Sequence, residues 1–276
     1  MVISKKTKTP FLMASEIIHT RINVRNLAIG YASKKKITTI AENISFSANK
    51  GELIALVGPN GIGKSTLIRT LTGMQKPISG SIKISEVEMS TLDSLSLASQ
   101  ISAVLTEAPA STNVTAYELI ALGRQPYTNW LGILSQTDKV AVNKAMSVTE
   151  TAALQHKKCF ELSDGELQRV LIARALAQDT PIIILDEPTS HLDLYHRAYV
   201  LKLLKKLTKE AEKTIIFSTH EIGIALNLVD KMIVLQKDSF DYGSPTELAE
   251  QGVFKNIFPN NTIDFDADTM QFRVKI

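Results

Sequence analysis

The run Gly58-Pro59-Asn60-Gly61-Ile62-Gly63-Lys64-Ser65-Thr66 constrains this 276-residue chain more than any other feature. It fits the pattern G-x-x-x-x-G-K-[ST]. A continuous apolar run, Leu53 to Val57, precedes it. A helical pattern follows it to Thr72, where Gly73 and Pro77 end the helix. Glycines let backbone N–H groups converge on phosphate oxygens, and the opening helix adds the positive end of its dipole. Lys64 is expected to neutralise charge between β- and γ-phosphates, and Ser65 to ligate Mg²⁺. The loop from Gly58 to Thr66 is thus the expected seat of a nucleotide's phosphates.

A second short apolar run, Ile182 to Leu185, ends in Asp186-Glu187. Sheets of this kind bind ligands beyond the carboxyl ends of their strands. Asp186 is expected to hold Mg²⁺ through water, and Glu187 to polarise an attacking water as general base. Taken alone, the pair could be a solvated acidic turn before Pro188. A phosphate loop in the same chain favours the metal and the base.

The remaining pattern predicts the architecture. Ile22 to Tyr31 and Ile37 to Ser47 alternate apolar and polar residues, as half-buried strands do, with Lys34-Lys35-Lys36 as a solvated turn. Ser81 to Ser85, Thr214 to Ser218 and Met232 to Leu235 read as further strands, and Glu166 to Ala177 as a helix. Val200, Leu203, Leu204 and Leu207 form a core-facing helical stripe. Residues 107–162 are helical in texture, with an aromatic stretch from Leu122 to Trp130. Near the end, Met270, Phe272 and Val274 alternate with polar residues, as in the second arm of a hairpin turning at Asp266 to Asp268. The expectation is an α/β fold: a P-loop NTPase core with a mostly parallel sheet, an antiparallel β subdomain and an inserted α-helical subdomain. Its expected parts are a tail over 1–20, a main domain over 21–260 with the insertion at about 107–165, and a hairpin over 261–276.

Composition narrows the class. The formal net charge of +3 is too mild for a nucleic-acid binder, so no nucleic acid is expected as a partner. The single cysteine, Cys159, permits no disulfide within the chain and reads as a small buried hydrophobe. No apolar run approaches the ~18–20 residues of a membrane span. Work at a membrane would need another subunit as anchor.

Leu162-Ser163-Asp164-Gly165-Glu166 resembles the LSGGQ signature of ATP-binding cassette (ABC) ATPases, and lies one helix before Asp186. The likeness spans about residues 21–250. It implies hydrolysis of ATP with Mg²⁺ by two copies bound head to tail, each borrowing the other's signature. It implies that Tyr31 stacks on adenine, a core aromatic being the alternative. Asn60 and Gly61 would line the phosphates, and Ser163 and Gly165 would reach the γ-phosphate held by the second copy. Asp193 matches the D-loop, and His220 the switch histidine that senses γ-phosphate; a strand-end histidine without that role is the alternative. Glu107 falls where the family has a glutamine that approaches Mg²⁺ and the attacking water. Asp164 and Glu166 replace the usual glycine and glutamine. Helix-start carboxylates are favoured by the dipole, and both side chains are expected to point away from phosphate.

The stretch Asn113 to Tyr127 resembles the T-x-x-E-L-V-x-x-G-R-x-P run of importers for iron–siderophore complexes, haem and cobalamin. That likeness implies an integral membrane permease as partner, indirectly a substrate-binding protein, and a peripheral place on the cytoplasmic face of the inner membrane. Tyr127, Trp130 and Leu131 could form the apolar docking patch, internal packing being the alternative. A soluble ABC-type ATPase without a permease, such as an iron–sulfur cluster assembly component, is the competing class. A DNA-repair or ribosome-associated ATPase would call for a coiled-coil insert, a second cassette or a strong basic patch, and none is seen.

Overall fold

The structure, a computed structural model, describes residues 19–32, 36–106, 111–237, 239–257 and 263–275. Strands β1 (Thr20–Ala32) and β2 (Ile37–Asn49) pair antiparallel, the register running from Thr20↔Asn49 to Ala32↔Ile37. Both extend one or two residues past the alternating stretches, because backbone pairing continues through Ile22↔Ala48, Thr20↔Asn49 and Ala32↔Ile37. Of the lysine turn between them, residues 33–35 lie outside the described residues. Next come β3 (Leu53–Val57), α1 (Lys64–Leu71), β4 (Ser79–Ile84), β5 (Val87–Glu88), α2 (Ser94–Gln100) and β6 (Ile101–Val104). A helical region follows, with α3 (Ala116–Ala121), α4 (Gln136–Val148) and α5 (Asp164–Ala177). The chain then alternates through β7 (Ile182–Leu185), α6 (Leu194–Glu210), β8 (Thr214–Ser218), α7 (Ile222–Leu226), β9 (Lys231–Leu235), β10 (Phe240–Gly243) and α8 (Pro245–Glu250). The hairpin β11 (Ile263–Asp266) and β12 (Gln271–Val274) follows.

The central sheet has six strands in the order β10-β9-β3-β8-β7-β6. Every pair in it is parallel except β10 with β9. The second sheet is antiparallel, in the order β2-β1-β4-β5. This is the P-loop NTPase architecture expected from the pattern.

Strand β3 is buried at every position, and its alternation divides two cores. Leu53, Ala55 and Val57 face a cluster built with the α6 stripe Val200, Leu203, Leu204 and Leu207. Ile54 and Leu56 face the opposite way, onto Leu67, Ile68 and Leu71 of α1 and the inner face of the antiparallel sheet. A third cluster joins Leu119 and Ile120 of α3, Val142 and Met146 of α4, and Val170 and Ala173 of α5. Cys159 is buried there as a small hydrophobe, and burial pushes its thiol pKa up. The side chains of α5 divide between two cores, since Ile172 and Ala175 belong to the first cluster. That shared helix fixes the helical region against the central sheet.

Several elements escaped the sequence pattern, among them β5, α7, β10 and α8 as well as β6 and α2. Strand β6 forms the edge of the central sheet but is only four residues long, too short for its period to stand out. Helix α2, just before it, has no buried residue and so no apolar stripe.

Candidate functional site

The phosphate loop leaves the carboxyl end of β3 in a conformation that needs glycine. Gly58 has φ +151°, and a Cβ there would lie 2.3 Å from the Leu235 carbonyl oxygen. Gly63 has φ +114°, and its Cβ would lie 2.6 Å from Ile40 Cγ2. Gly63 is also the N-cap of α1 and supplies no side-chain acceptor, so the first-turn N–H groups remain available to a ligand. Lys64 is 6% exposed. Its Nζ donates to the carbonyls of Gly58 at 2.9 Å and Pro59 at 3.2 Å. Burial lowers the Lys64 pKa, while Glu187 and Asp186 act to raise it. A cleft of about 770 Å³ opens here, lined by Asn60, Gly61, Ser65 and Thr66 together with Glu187 and His220. Tyr31 stands at the same cleft, 53% exposed, its hydroxyl 3.4 Å from Thr66 Oγ1. It is a cleft residue and not a core aromatic.

The carboxylates arrive from the neighbouring strands. The parallel register Leu185↔Phe217 sets Asp186 beside Ser218. Ser218 Oγ donates to Asp186 Oδ1 at 2.6 Å, and Thr106 Oγ1 donates to Oδ2 at 3.1 Å. Glu187 turns away in the left-handed region at φ +48°, and His191 follows at φ +65°. Such conformations are strained for residues with a Cβ and cluster at functional sites. The Glu187 N–H donates to Ser218 Oγ at 2.8 Å, which holds the turn. Ser190 Oγ donates to Glu187 Oε2 at 2.8 Å, and His220 Nδ1 lies 3.8 Å from the same oxygen.

No group of three or more His, Cys, Asp or Glu able to hold a metal ion occurs among the described residues. A cation here would take the Ser65 hydroxyl and the Asp186 carboxylate and complete its shell with phosphate and water oxygens. Magnesium binds in that manner, so the residues present fit it.

Ser163, Gly165 and Asp193 do not line this cleft. Ser163 is the N-cap of α5. Glu166 Oε2 accepts from the Ser163 N–H at 2.9 Å in a reciprocal capping box, and that bond holds the Glu166 carboxyl below its ordinary pKa. The glutamate therefore turns back on its own helix, further held by Lys157 Nζ at 3.4 Å. Asp193 caps α6, accepting from the His196 N–H at 2.8 Å, which lowers its pKa. The His196 ring links the two motifs: its Nδ1 is 2.9 Å from Asp193 Oδ1, and a Cβ on Gly165 would lie 2.4 Å from its Cδ2. Asp164 behaves differently from Glu166. It lines a groove of about 270 Å³ together with Asp186, Glu187 and Ser190. Glu107 lies outside the described residues.

Residues 41–190 match the ABC transporter family. The chain belongs to that family. It is 37% identical to the achromobactin transport ATP-binding protein CbrD of Dickeya dadantii, over 87% of this chain and 88% of that one. It is 35% identical to the petrobactin import ATP-binding protein YclP of Bacillus subtilis, over 88% of this chain and 96% of that one. Among solved structures, a metal-chelate type ABC transporter in an inward-facing conformation aligns with TM-score 0.76 and 28% identity, over 87% of this chain and 89% of that one. A dimeric cassette in a post-hydrolysis state, bound to ADP and Pi, aligns with TM-score 0.70 and 28% identity, over 81% and 98%. The protein is an ABC ATPase, which binds and hydrolyses ATP.

Sequence reasoning missed three hydroxyls in this ABC site: Thr106 and Ser218 on Asp186, and Ser190 on Glu187. Serine and threonine at strand ends carry no spacing signal. Thr106 and Ser218 become visible only once the sheet order places β6, β7 and β8 side by side, and Ser190 only once the turn after β7 is formed. No described helix is long and apolar enough to cross a membrane.

Proposed function

We propose that this chain energises the import of a metal chelate, most simply an iron–siderophore complex, haem or cobalamin. The observation that carries the ATPase chemistry is the convergence of Tyr31, Lys64, Glu187 and His220 on one cleft. Tyr31 stacks on adenine at its mouth. The N–H groups of residues 58–66 and the α1 N-terminus take the phosphates, and Lys64 exchanges its two carbonyl partners for phosphate oxygens. Mg²⁺, held by Ser65 and Asp186 when bound, would neutralise charge on the β- and γ-phosphates. Glu187 orients the attacking water and accepts its proton, with Ser190 fixing Oε2 and His220 beside it. Water oxygen bonds to the γ-phosphorus as the bond to the bridging oxygen breaks, giving ADP and phosphate. Glu107, the residue after Thr106 in the sequence, would approach Mg²⁺ and the attacking water.

Ser163, Gly165 and Asp193 lie off the cleft, which suits them to a second copy of the chain bound head to tail over the ATP. The permease partner is read from the surface around Trp130. Trp130 is 91% exposed, and Tyr127 and Leu131 beside it are exposed too. Exposed aromatics grouped in this way mark interfaces. The names of the transport proteins quoted above support a chelate as cargo. Work on the cytoplasmic face of a membrane follows from a permease of that kind.

A tagged pull-down from detergent-solubilised native membranes tests this reading. Recovery of a stoichiometric polytopic permease, lost on Trp130→Ala with Tyr127→Ala, is the expected outcome. Recovery only with cytosolic partners would overturn the importer role and favour the soluble assembly component.

A further inference from the structure

The chain after Leu192 and the chain after β8 meet at a pair of charges that the hydrolysis steps above do not use. Arg197 sits in the first turn of α6, its N–H bonded to the Asp193 carbonyl at 3.0 Å. Its Nη2 donates to the Leu192 carbonyl at 2.8 Å, and its Nη1 donates to Glu221 Oε1. Glu221 is the residue after His220, and its N–H donates to Thr219 Oγ1 at 3.0 Å. The two side chains are 27% and 16% exposed. Arg197 Nε and Glu221 Oε2 are buried without a hydrogen-bond partner among the described residues. Two largely buried charges with unused atoms are poor stabilisers in themselves, since desolvation offsets much of their attraction. What they do is geometric. One guanidinium fork holds a carbonyl next to Asp193 and a carboxylate next to His220, so the two loops cannot shift independently.

We infer that Arg197 is a positioning residue for hydrolysis, tying the Asp193 loop to the His220 loop through Glu221. The inference rests on the proposed roles of those two residues. Asp193 faces the second copy and His220 faces the chain's own nucleotide. The tie therefore transmits the docking of the second copy to the placing of His220 beside Glu187. Asp193 and His220 have obvious tasks of their own; Arg197 links them without touching nucleotide.

The test uses the full chain and the variants Arg197→Met, Glu221→Gln and their combination, with Arg197→Lys as a milder change. Each single variant is expected to lower kcat about tenfold, the double variant no further, because the pair acts as a unit. The Kd for a fluorescent ATP analogue should stay within about twofold, because nothing in the pair touches nucleotide. Hydrogen exchange without nucleotide should quicken at 192–196 and 219–223 in the same variants and not in β3 or α1. Unchanged exchange in both loops overturns the tie. Faster exchange with unchanged kcat overturns the positioning role, as do single effects that multiply in the double variant. Loss of Kd and kcat together with a general fall in Tm would mark Arg197 as merely structural. An unaltered chain that hydrolyses no ATP would count against the proposed function alone, and the exchange result would still decide the tie.

Discussion

Arg124 lies beneath the Trp130 surface, and removing its charge should loosen that surface at a large cost in stability. Its Nε donates to Asp138 Oδ1 at 2.8 Å, and its Nη1 to the Ala177 carbonyl at 2.8 Å. Both charged residues are buried. The guanidinium also lies 4.0 Å from the centre of the Tyr127 ring, whose hydroxyl donates to the Gln178 carbonyl at 2.9 Å. In Arg124→Met the stem is kept, but Asp138 Oδ1 and the Ala177 carbonyl lose their donors. Removing one partner of a buried pair costs about 3–5 kcal/mol. Asp138 Oδ2 keeps the Ser135 hydroxyl at 2.6 Å and the Ser135 N–H at 2.9 Å, so the loss belongs near the lower end. Each kcal/mol moves Tm by about 2–4 °C in a domain near this size, so a fall of roughly 6–12 °C is expected. Urea titration of the full chain by circular dichroism reads the free energy directly. Arg124→Met, Asp138→Asn and the double variant complete a cycle, in which the double should cost about 2 kcal/mol less than the sum. A loss under about 1 kcal/mol for Arg124→Met, or additivity within about 0.5 kcal/mol, would refute the reasoning.

The same carboxylate gives a pH dependence. The Ser135 hydroxyl first, and then Arg124, hold the Asp138 pKa below its ordinary value. A depressed carboxylate contributes stability above the unfolded value of about 3.9, and that stability is lost as pH falls through the folded value. The acid limb of a stability–pH curve below about pH 4 should therefore be shallower in Asp138→Asn. Tyr31→Ala should weaken ATP binding by about 0.5–1.5 kcal/mol, roughly two- to twelvefold by fluorescent-nucleotide titration, if the exposed ring stacks on adenine. Lys64→Met should abolish phosphate release yet leave the nucleotide-free Tm equal or higher, because burial penalises its ammonium; a lower Tm would contradict that account. Chelation of divalent cations should stop phosphate release while nucleotide still binds, since Lys64 and the loop amides hold phosphate without the metal.

Much of the site was legible because its chemistry is local. The phosphate loop needs glycines at fixed offsets and a lysine at a helix start, so a short window states both cause and effect. Strand β3 and strand β7 were equally plain, since strands buried on both faces are apolar throughout. The Glu166 capping box is local as well, a serine and a glutamate three residues apart. The sequence by itself thus determined the nucleotide chemistry, the α/β class and the two carboxylates. Tertiary structure decided what surrounds them. Thr106 reaches Asp186 across 80 residues and Ser218 across 32, and only the order β8-β7-β6 brings them together. His196 meets Gly165, and Arg197 meets Glu221, because α5, α6 and the end of β8 pack around one core. Short-range pattern encodes backbone conformation and burial. Which distant hydroxyl or charge completes a site depends on strand order and helix packing, which are set by the burial of the whole chain at once.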